Sequence, residues 1–394
     1  MNNETSYTIN SILSDHNYSL AEHLYIHVPF CRYRCPYCSF YSTLYLNDDT
    51  KNQFVSASIN EIKFKDFLLS KNLKTIYLGG GTPSMLSITD IAKIFNEINR
   101  NHQIDDNAEI TIEANPEDIT KELVIGWQKI GINRVSLGVQ NINEKHLQFL
   151  GRKHTKKQII NAIETLKNAD FKNISLDFII GLPEENIEDL KNNFQIILEY
   201  KIPHFSSYLL TIEEKTRLSN LVHKHPEILQ DDDTTIKNIS QWYLWAKNNG
   251  YQHYEVSNFA ISPFQSKHNS SYWTQKNYIG IGPSAHSYIH PFRLWNTSSL
   301  RNYNSLIKND KLDFQYEILN EKNIFNEYIM TRLRLKEGIC LADLTKRFNK
   351  KITQYLIEQT DKISREYIIK TNDKIYLTKE GWLIMDGILV DLFL

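Results

Sequence analysis

Three of the four cysteines in this 394-residue chain fall within eight residues, as Cys31, Cys35 and Cys38 in the segment Tyr25-Ile-His-Val-Pro-Phe-Cys-Arg-Tyr-Arg-Cys-Pro-Tyr-Cys. A Cys-x3-Cys-x2-Cys run is not a disulfide framework. Thiolates at that spacing suit zinc or an iron–sulfur cluster. A closed structural zinc site takes four protein ligands, and the one extra donor nearby, His27, points along a predicted strand. Three thiolates leave an iron open, which favours a cluster over zinc. Cys340, far along the chain in an amphipathic segment, reads as an apolar filler.

Other residues with chemical potential each have an ordinary alternative. The run Gly79-Gly80-Gly81-Thr82-Pro83-Ser84 lacks the Cβ atoms that keep main chain away from a ligand's amino and carboxylate groups, but a glycine triplet is also simply a tight turn. Glu113 ends an apolar run, where its carboxylate could meet ribose hydroxyls, a cationic ligand or only water. Gln140, Arg152 and Asp177 have equally plain readings, as a helix cap for Arg152 and a backbone acceptor for Asp177. In His268-Asn-Ser-Ser-Tyr272-Trp273 a histidine stands beside two aromatics. A heme slot needs an axial ligand, flat apolar walls and cations for the propionates, yet the residue types alone favour a hydrogen-bonded histidine in a packed aromatic cluster. Tyr254 and His286 are weaker candidates of the same kind.

These side chains need elements to hold them. Short β-branched runs at Leu24–Val28, Thr75–Leu78, Glu109–Glu113, Arg134–Gly138, Asn173–Ile180 and His204–Leu210 alternate with helix-period segments. That alternation predicts an α/β fold, a partial (βα)6 TIM-like barrel with its chemistry at the C-terminal strand ends. Cys31, Gly79, Glu113, Gln140 and Gly181-Leu-Pro183 all fall at or just after such ends. The predicted division is an N-terminal extension over 1–23, a core over 24–230, an irregular aromatic- and histidine-rich segment over 231–316 closing the barrel's open side, and a C-terminal winged-helix-like α+β domain over 317–394. From about Leu218 onward the pattern already loosens. In the tail, three helices, a hairpin around Asn372-Asp373 and a last helix make the winged-helix plan.

With 45 basic against 46 acidic residues, the chain lacks the footprint of a non-specific nucleic-acid binder. Lys346, Arg347, Lys350 and Lys351 read as a solvated face, so no nucleic-acid partner is expected. The polar first twenty residues resemble no targeting peptide. Trp382–Leu394 is too short and too interrupted to span a bilayer; it reads as a core-packing helix with at most peripheral membrane contact. A cytoplasmic location is expected.

The cysteine spacing and its flanking aromatics resemble the radical S-adenosylmethionine superfamily, in which a [4Fe–4S] cluster binds S-adenosylmethionine through its open iron and supplies the electron that breaks a C–S bond. Taken in order, Tyr25, Gly80-Gly81-Thr82, Glu113, Gln140, Arg152 and Asp177 are similar to the cofactor-binding pattern of one branch, which holds the oxygen-independent coproporphyrinogen III oxidases and the HemW-type heme chaperones. The resemblance runs from about Leu24 to the C-terminus. The oxidases carry a further cysteine two residues after the last cluster ligand, where this chain has Phe40. The stretches Tyr254-Glu-Val-Ser-Asn-Phe259, His268-Asn-Ser-Ser-Tyr-Trp273 and Gly280-Ile-Gly-Pro-Ser-Ala-His286 resemble the HemW type instead. That resemblance implies a heme chaperone with a cluster on Cys31, Cys35 and Cys38. S-adenosylmethionine would lie on the eight residues from Tyr25 to Asp177, and heme as cargo near His268, Tyr272 and Trp273. It also implies an electron donor and a heme-accepting apoprotein such as a respiratory cytochrome. His286 would be an alternative contact for the adenine. The enzyme alternative is radical decarboxylation of coproporphyrinogen III or of another tetrapyrrole.

Overall fold

The computed structural model describes residues 18–45, 47–308 and 314–394; most of the predicted N-terminal extension, residues 1–17, lies outside them. All six predicted strands form. They are β1 (His23–Val28), then, after the two short strands β2 (Phe30–Cys31) and β3 (Thr43–Leu44), β4 (Asn72–Gly80), β5 (Gln103–Ala114), β6 (Arg134–Gln140), β7 (Asn173–Ile180) and β8 (His204–Leu209). They pair in parallel in chain order, so each crossover must carry a helix back across the sheet. The helices serving the crossovers are α1 (Asp48–Lys65), α2 (Ile88–Asn101), α3 (Lys121–Ile130), α4 (Glu144–Phe149), α5 (Lys156–Asn168) and α6 (Ile187–Glu199).

Local sequence fixes where these helices start. Ser87 with Asp90, Thr155 with Gln158 and Asn186 with Asp189 form reciprocal capping boxes at α2, α5 and α6, each satisfying two otherwise orphaned N–H groups. The strands are covered on the outside by Ile91, Ile94, Trp127, Ile159, Ile163 and Ile197, all buried. Strands flanked on both faces tolerate few polar residues. Those that β1 and β4–β8 do bury, such as His23, Thr75, Glu109, Arg134 and His204, together with the half-buried Asp177, are the ones that matter below.

The segment expected to be irregular is not. After α7 (Arg217–Lys224) and α8 (Asp232–Asn248) it forms β9 (Gln252–Glu255), β10 (Asn258–Ala260), α9 (Lys267–Trp273), β11 (Tyr278–Ile281), β12 (His286–Ile289), β13 (Phe292–Asn296), α10 (Leu300–Lys308) and β14 (Phe314–Ile318). β10 pairs antiparallel with β8, and β11 pairs parallel with β1. Among the described residues the sheet thus has the order β14-β13-β12-β11-β1-β4-β5-β6-β7-β8-β10-β9. Aromatic residues in runs of three to five here mark short strands, a period too brief to stand out from aromatic clustering.

α9 bridges the two flanks and lies across the N-terminal ends of the barrel strands. Its His268 is within 2.6 Å of Thr75, and its first amides bond to Glu109. The C-terminal part builds its own core from Phe325, Tyr328, Leu344, Leu356, Ile375 and Trp382, on α11 (Glu321–Arg332), β15 (Ile339–Cys340), α12 (Leu341–Arg347), α13 (Lys350–Thr360), β16 (Ile368–Lys370), β17 (Lys374–Leu377), α14 (Lys379–Leu383) and α15 (Met385–Leu392). The winged-helix plan gains one short strand, β15, which pairs with β17. Leu392 and Trp382 are buried in this core. No helix among the described residues is long and apolar enough to cross a membrane.

Candidate cofactor site

The cysteine loop begins where β1 ends and is closed by the parallel clip of β2 on β3, through Thr43 N to Pro29 O at 2.7 Å and Tyr45 N to Cys31 O at 3.0 Å. His27 holds the loop's exit, its Nε2 lying 2.8 Å from Tyr41 O. Arg34 Nη2 donates to Ser42 O at 2.6 Å, Tyr33 Oη to Glu117 at 2.6 Å, and Leu218 N to Pro36 O at 2.9 Å. The loop is thereby fixed from three directions, which a metal centre requires of its ligands.

Cys31, Cys35 and Cys38 are free thiols lining one cavity of about 80 Å³, with Gly80, Gly81, Thr82, Asn115 and Arg152 around them. Thr82 Oγ1 donates to Cys31 Sγ at 3.5 Å. Among the described residues no three His, Cys, Asp or Glu side chains are arranged to hold a single ion; three thiols spread around a shared cavity suit a polynuclear cluster. Burial pushes the thiols of Cys31 and Cys38 up, so binding as thiolates must release protons.

A larger cavity of about 380 Å³ opens beside the first at the C-terminal strand ends. Gly80, Gly81, Thr82, Glu113, Gln140, Arg152 and Asp177 all line it, so the structure brings together seven of the eight residues expected to bind S-adenosylmethionine. Tyr25 is the exception. It lines neither cavity and sits beneath them, its Oη 3.0 Å from His27 Nδ1. Gly80 has φ +109°, and a Cβ there would come within 2.6 Å of the His27 ring; only glycine lets β4 end against the cysteine loop.

The cavity's electrostatics suit a ligand carrying both charges. Burial raises Glu113 to about 7, against donation from Tyr77 Oη at 2.8 Å and Gly80 N at 3.1 Å, with Asp177 raising it further. Burial also raises Asp177, which accepts from Ser206 Oγ at 2.8 Å and Ser136 Oγ at 2.9 Å. Two buried carboxylates that resist ionising alone are stabilised by an incoming cation. Arg152, which lines the cavity, donates from Nη1 to Asn115 Oδ1 at 2.9 Å, while its Nε is buried without a partner. An ammonium–sulfonium–carboxylate ligand fits these groups.

His268, Tyr272 and Trp273 lie elsewhere. His268 is 1% exposed at the opposite end of the barrel, its Nε2 2.7 Å from Tyr272 Oη. Burial lowers it to about 3, His23 adding to the effect, so the ring is neutral. Trp273 packs beneath Arg334, whose guanidinium carbon is 5.6 Å from the ring centroid. His286 stacks on Trp295 and lines neither cavity, contrary to its reading as an adenine contact. Sequence reasoning missed Asn115 and Tyr208 at the mouth and Tyr77 beneath it, between Glu113 and His268; Tyr77 was legible only as the inward partner of Thr75 and Gly79 in the period-2 alternation of β4.

Comparison with known proteins decides between branches that share this mouth. The radical SAM superfamily model matches residues 25–197, and the HemN C-terminal domain model residues 319–384. The heme chaperone HemW of Lactococcus lactis is 33% identical over 91% of this chain and 93% of its own length. The chain belongs to the HemW family. The HemW proteins of Haemophilus influenzae, at 33% identity, and Escherichia coli, at 30%, each match over 94% of this chain and 97% of their own length. Among solved structures, coproporphyrinogen III oxidase (HemN) from E. coli aligns over 98% of this chain and 93% of its own, with a TM-score of 0.84 at 18% identity. At that identity the likeness speaks to fold: the HemW-family chain and the oxidase share a barrel and a C-terminal domain.

Proposed function

We propose that this chain is a heme chaperone that carries a [4Fe–4S] cluster on Cys31, Cys35 and Cys38, binds S-adenosylmethionine in the mouth cavity, and passes heme to an acceptor apoprotein such as a respiratory cytochrome, with an electron donor serving the cluster. The observation that carries the reading over the oxidase is Phe40. It is 68% exposed on the rim of the larger cavity, putting an apolar ring where the oxidase has a further thiol. The bound cluster would supply one-electron reduction of S-adenosylmethionine. Around it, Arg152 orients the ligand's carboxylate, Glu113 and Asp177 hold its cationic part, and Phe40, Ile179, Tyr208 and Leu209 form an apolar rim that sheds water from the site.

His268 is the proposed axial ligand of heme. To reach iron its Nε2 must leave Tyr272, and α9 must lift from Glu109, so heme capture requires opening of the barrel floor. The test of function uses anaerobically reconstituted protein with S-adenosylmethionine, a reductant and coproporphyrinogen III, alongside heme titration. Heme binding with no decarboxylated porphyrinogen by mass is expected; product over many turnovers would establish an oxidase instead.

A further inference from the structure

The lumen between the mouth and the floor of the barrel holds two columns of polar side chains. In the first, Glu113 accepts from Tyr77 Oη at 2.8 Å, and the Tyr77 ring stacks on His268 with centroids 5.0 Å apart. His268 Nδ1 and His23 Nδ1 share Thr75 Oγ1 at 2.6 and 2.9 Å. In the second, Asp177 Oδ1 accepts from Ser175 Oγ at 3.3 Å. Ser175 Oγ lies 2.7 Å from His204 Nδ1, and His204 Nε2 lies 2.9 Å from Tyr254 Oη. Tyr254 Oη in turn accepts from Ser266 N at 3.2 Å. Ser266 is the N-cap of α9 and His268 is its second residue, so both mouth carboxylates connect to the same short helix.

Neither column is needed to fill space, since aliphatic side chains would do that without leaving so many buried groups to satisfy. A buried hydrogen-bonded network fixes its side chains in one arrangement, and losing one member loosens its neighbours; Arg134, whose Nη2 lies 3.3 Å from His204 Nδ1, is the member left with unpartnered nitrogens. The Tyr77 ring that carries this hydroxyl is braced by the stacked His268 ring, with the tilted ring of Tyr25 beside it at 6.1 Å. His204 stands in the same relation to Asp177 through Ser175.

We propose that α9 and the S-adenosylmethionine site are coupled through these columns, with Tyr77 and His204 as positioning residues for Glu113 and Asp177. S-adenosylmethionine at the mouth holds α9 on the floor, and lifting α9 weakens the mouth. The coupling rests on the reading that Glu113 and Asp177 hold that ligand, and by linkage it acts equally in both directions.

The experiment uses the full chain, anaerobically reconstituted. Tyr77→Phe keeps the ring on His268 and removes one hydroxyl; Ser175→Ala cuts the other column. Each is expected to weaken S-adenosylmethionine binding by calorimetry about tenfold or more, the loss of one hydrogen bond to a charged group, with iron content and thermal midpoint kept. In the wild type, S-adenosylmethionine should slow amide exchange across residues 267–273 by about fivefold or more, and less in Tyr77→Phe. Wild-type affinity in both variants, or floor exchange indifferent to the ligand in the wild type, would overturn the coupling alone. A wild type that binds no S-adenosylmethionine would overturn the reading of the mouth together with the coupling.

Discussion

The two ends of the barrel are made by the same strands yet differ in whether their polar groups face a cavity or are enclosed. At the mouth, Glu113 and Asp177 are held in a raised, reluctant state by burial, and Arg152 Nε has no partner. At the floor, Glu109 accepts from Ser266 Oγ, Lys267 N and His268 N, and both ring nitrogens of His268 are engaged, while Arg134 Nε and Nη1 and Trp273 Nε1 are sealed in without hydrogen-bond partners. At the mouth the raised carboxyls face an open cavity, whereas at the floor His268 is enclosed with both ring nitrogens bonded. Any role for His268 outside the floor therefore has to begin by undoing those hydrogen bonds.

Variants can break that contrast. The largest effect is expected from Cys35→Ser, which should abolish the brown chromophore and bound iron of anaerobically purified protein; full iron retention would remove the cluster assignment. Next is His268→Ala. It leaves Thr75 and Tyr272 facing a void, and the combined cavity and unpaired hydroxyls should cost about 2–4 kcal/mol in denaturant unfolding as well as the heme spectrum. An unchanged heme spectrum and affinity would free His268 of the proposed ligand role and leave it a floor residue only.

Glu113→Gln should act oppositely at the two levels. It weakens S-adenosylmethionine binding by about tenfold or more, since a charged partner is lost, while relieving a folding penalty. The sign follows from linkage: a carboxyl whose folded pKa is raised gives stability below its unfolded pKa, lost as pH rises through the folded one. Glu113, Glu185 and Glu255 are each raised from 4.5 to about 7, chiefly by burial. Over the same range the buried histidines His23, His253 and His268, lowered to about 4, about 3 and about 3, act in the opposite sense, so the readout is the difference between proteins: Glu113→Gln should gain thermal stability relative to the wild type as pH rises from 4.5 to about 7. The smallest effect is expected from Phe40→Ala. Exposed as it is, Phe40 should cost within about 0.5 kcal/mol of stability, so any loss of heme affinity in that variant would place the cargo at the rim.

The mouth was largely legible in the sequence because its residues sit where strands stop: the glycines after β4, Glu113 near the end of β5, Gln140 at the end of β6. Strand length and parallel order could be read from β-branched runs, which put the glycines, Glu113 and Gln140 at one end; Arg152, beyond α4, and Asp177, inside β7, were joined to them only by the family resemblance. The floor was not legible. Glu109 and Thr75 look like ordinary strand residues, and their partners arrive from α9, far away in the chain and between strands too short to show a period. Tyr25 illustrates the limit of pattern transfer, since its type and position match while its hydroxyl turns to His27.

The pairing of β1 with β11, Leu24 against Ile279, also bears on the order of events during synthesis. The strand that leads into the cysteine loop emerges from the ribosome early but keeps an open edge until residue 281 follows. The loop's outer braces come later still, with Tyr41 Oη accepting from Leu300 N. At translation speeds of about 5–20 residues per second, the three thiols wait roughly 15–50 s in an unfinished barrel, in reach of oxidants and of the wrong metals. Enclosure of the three thiols thereby waits for the arrival of the chain's last third.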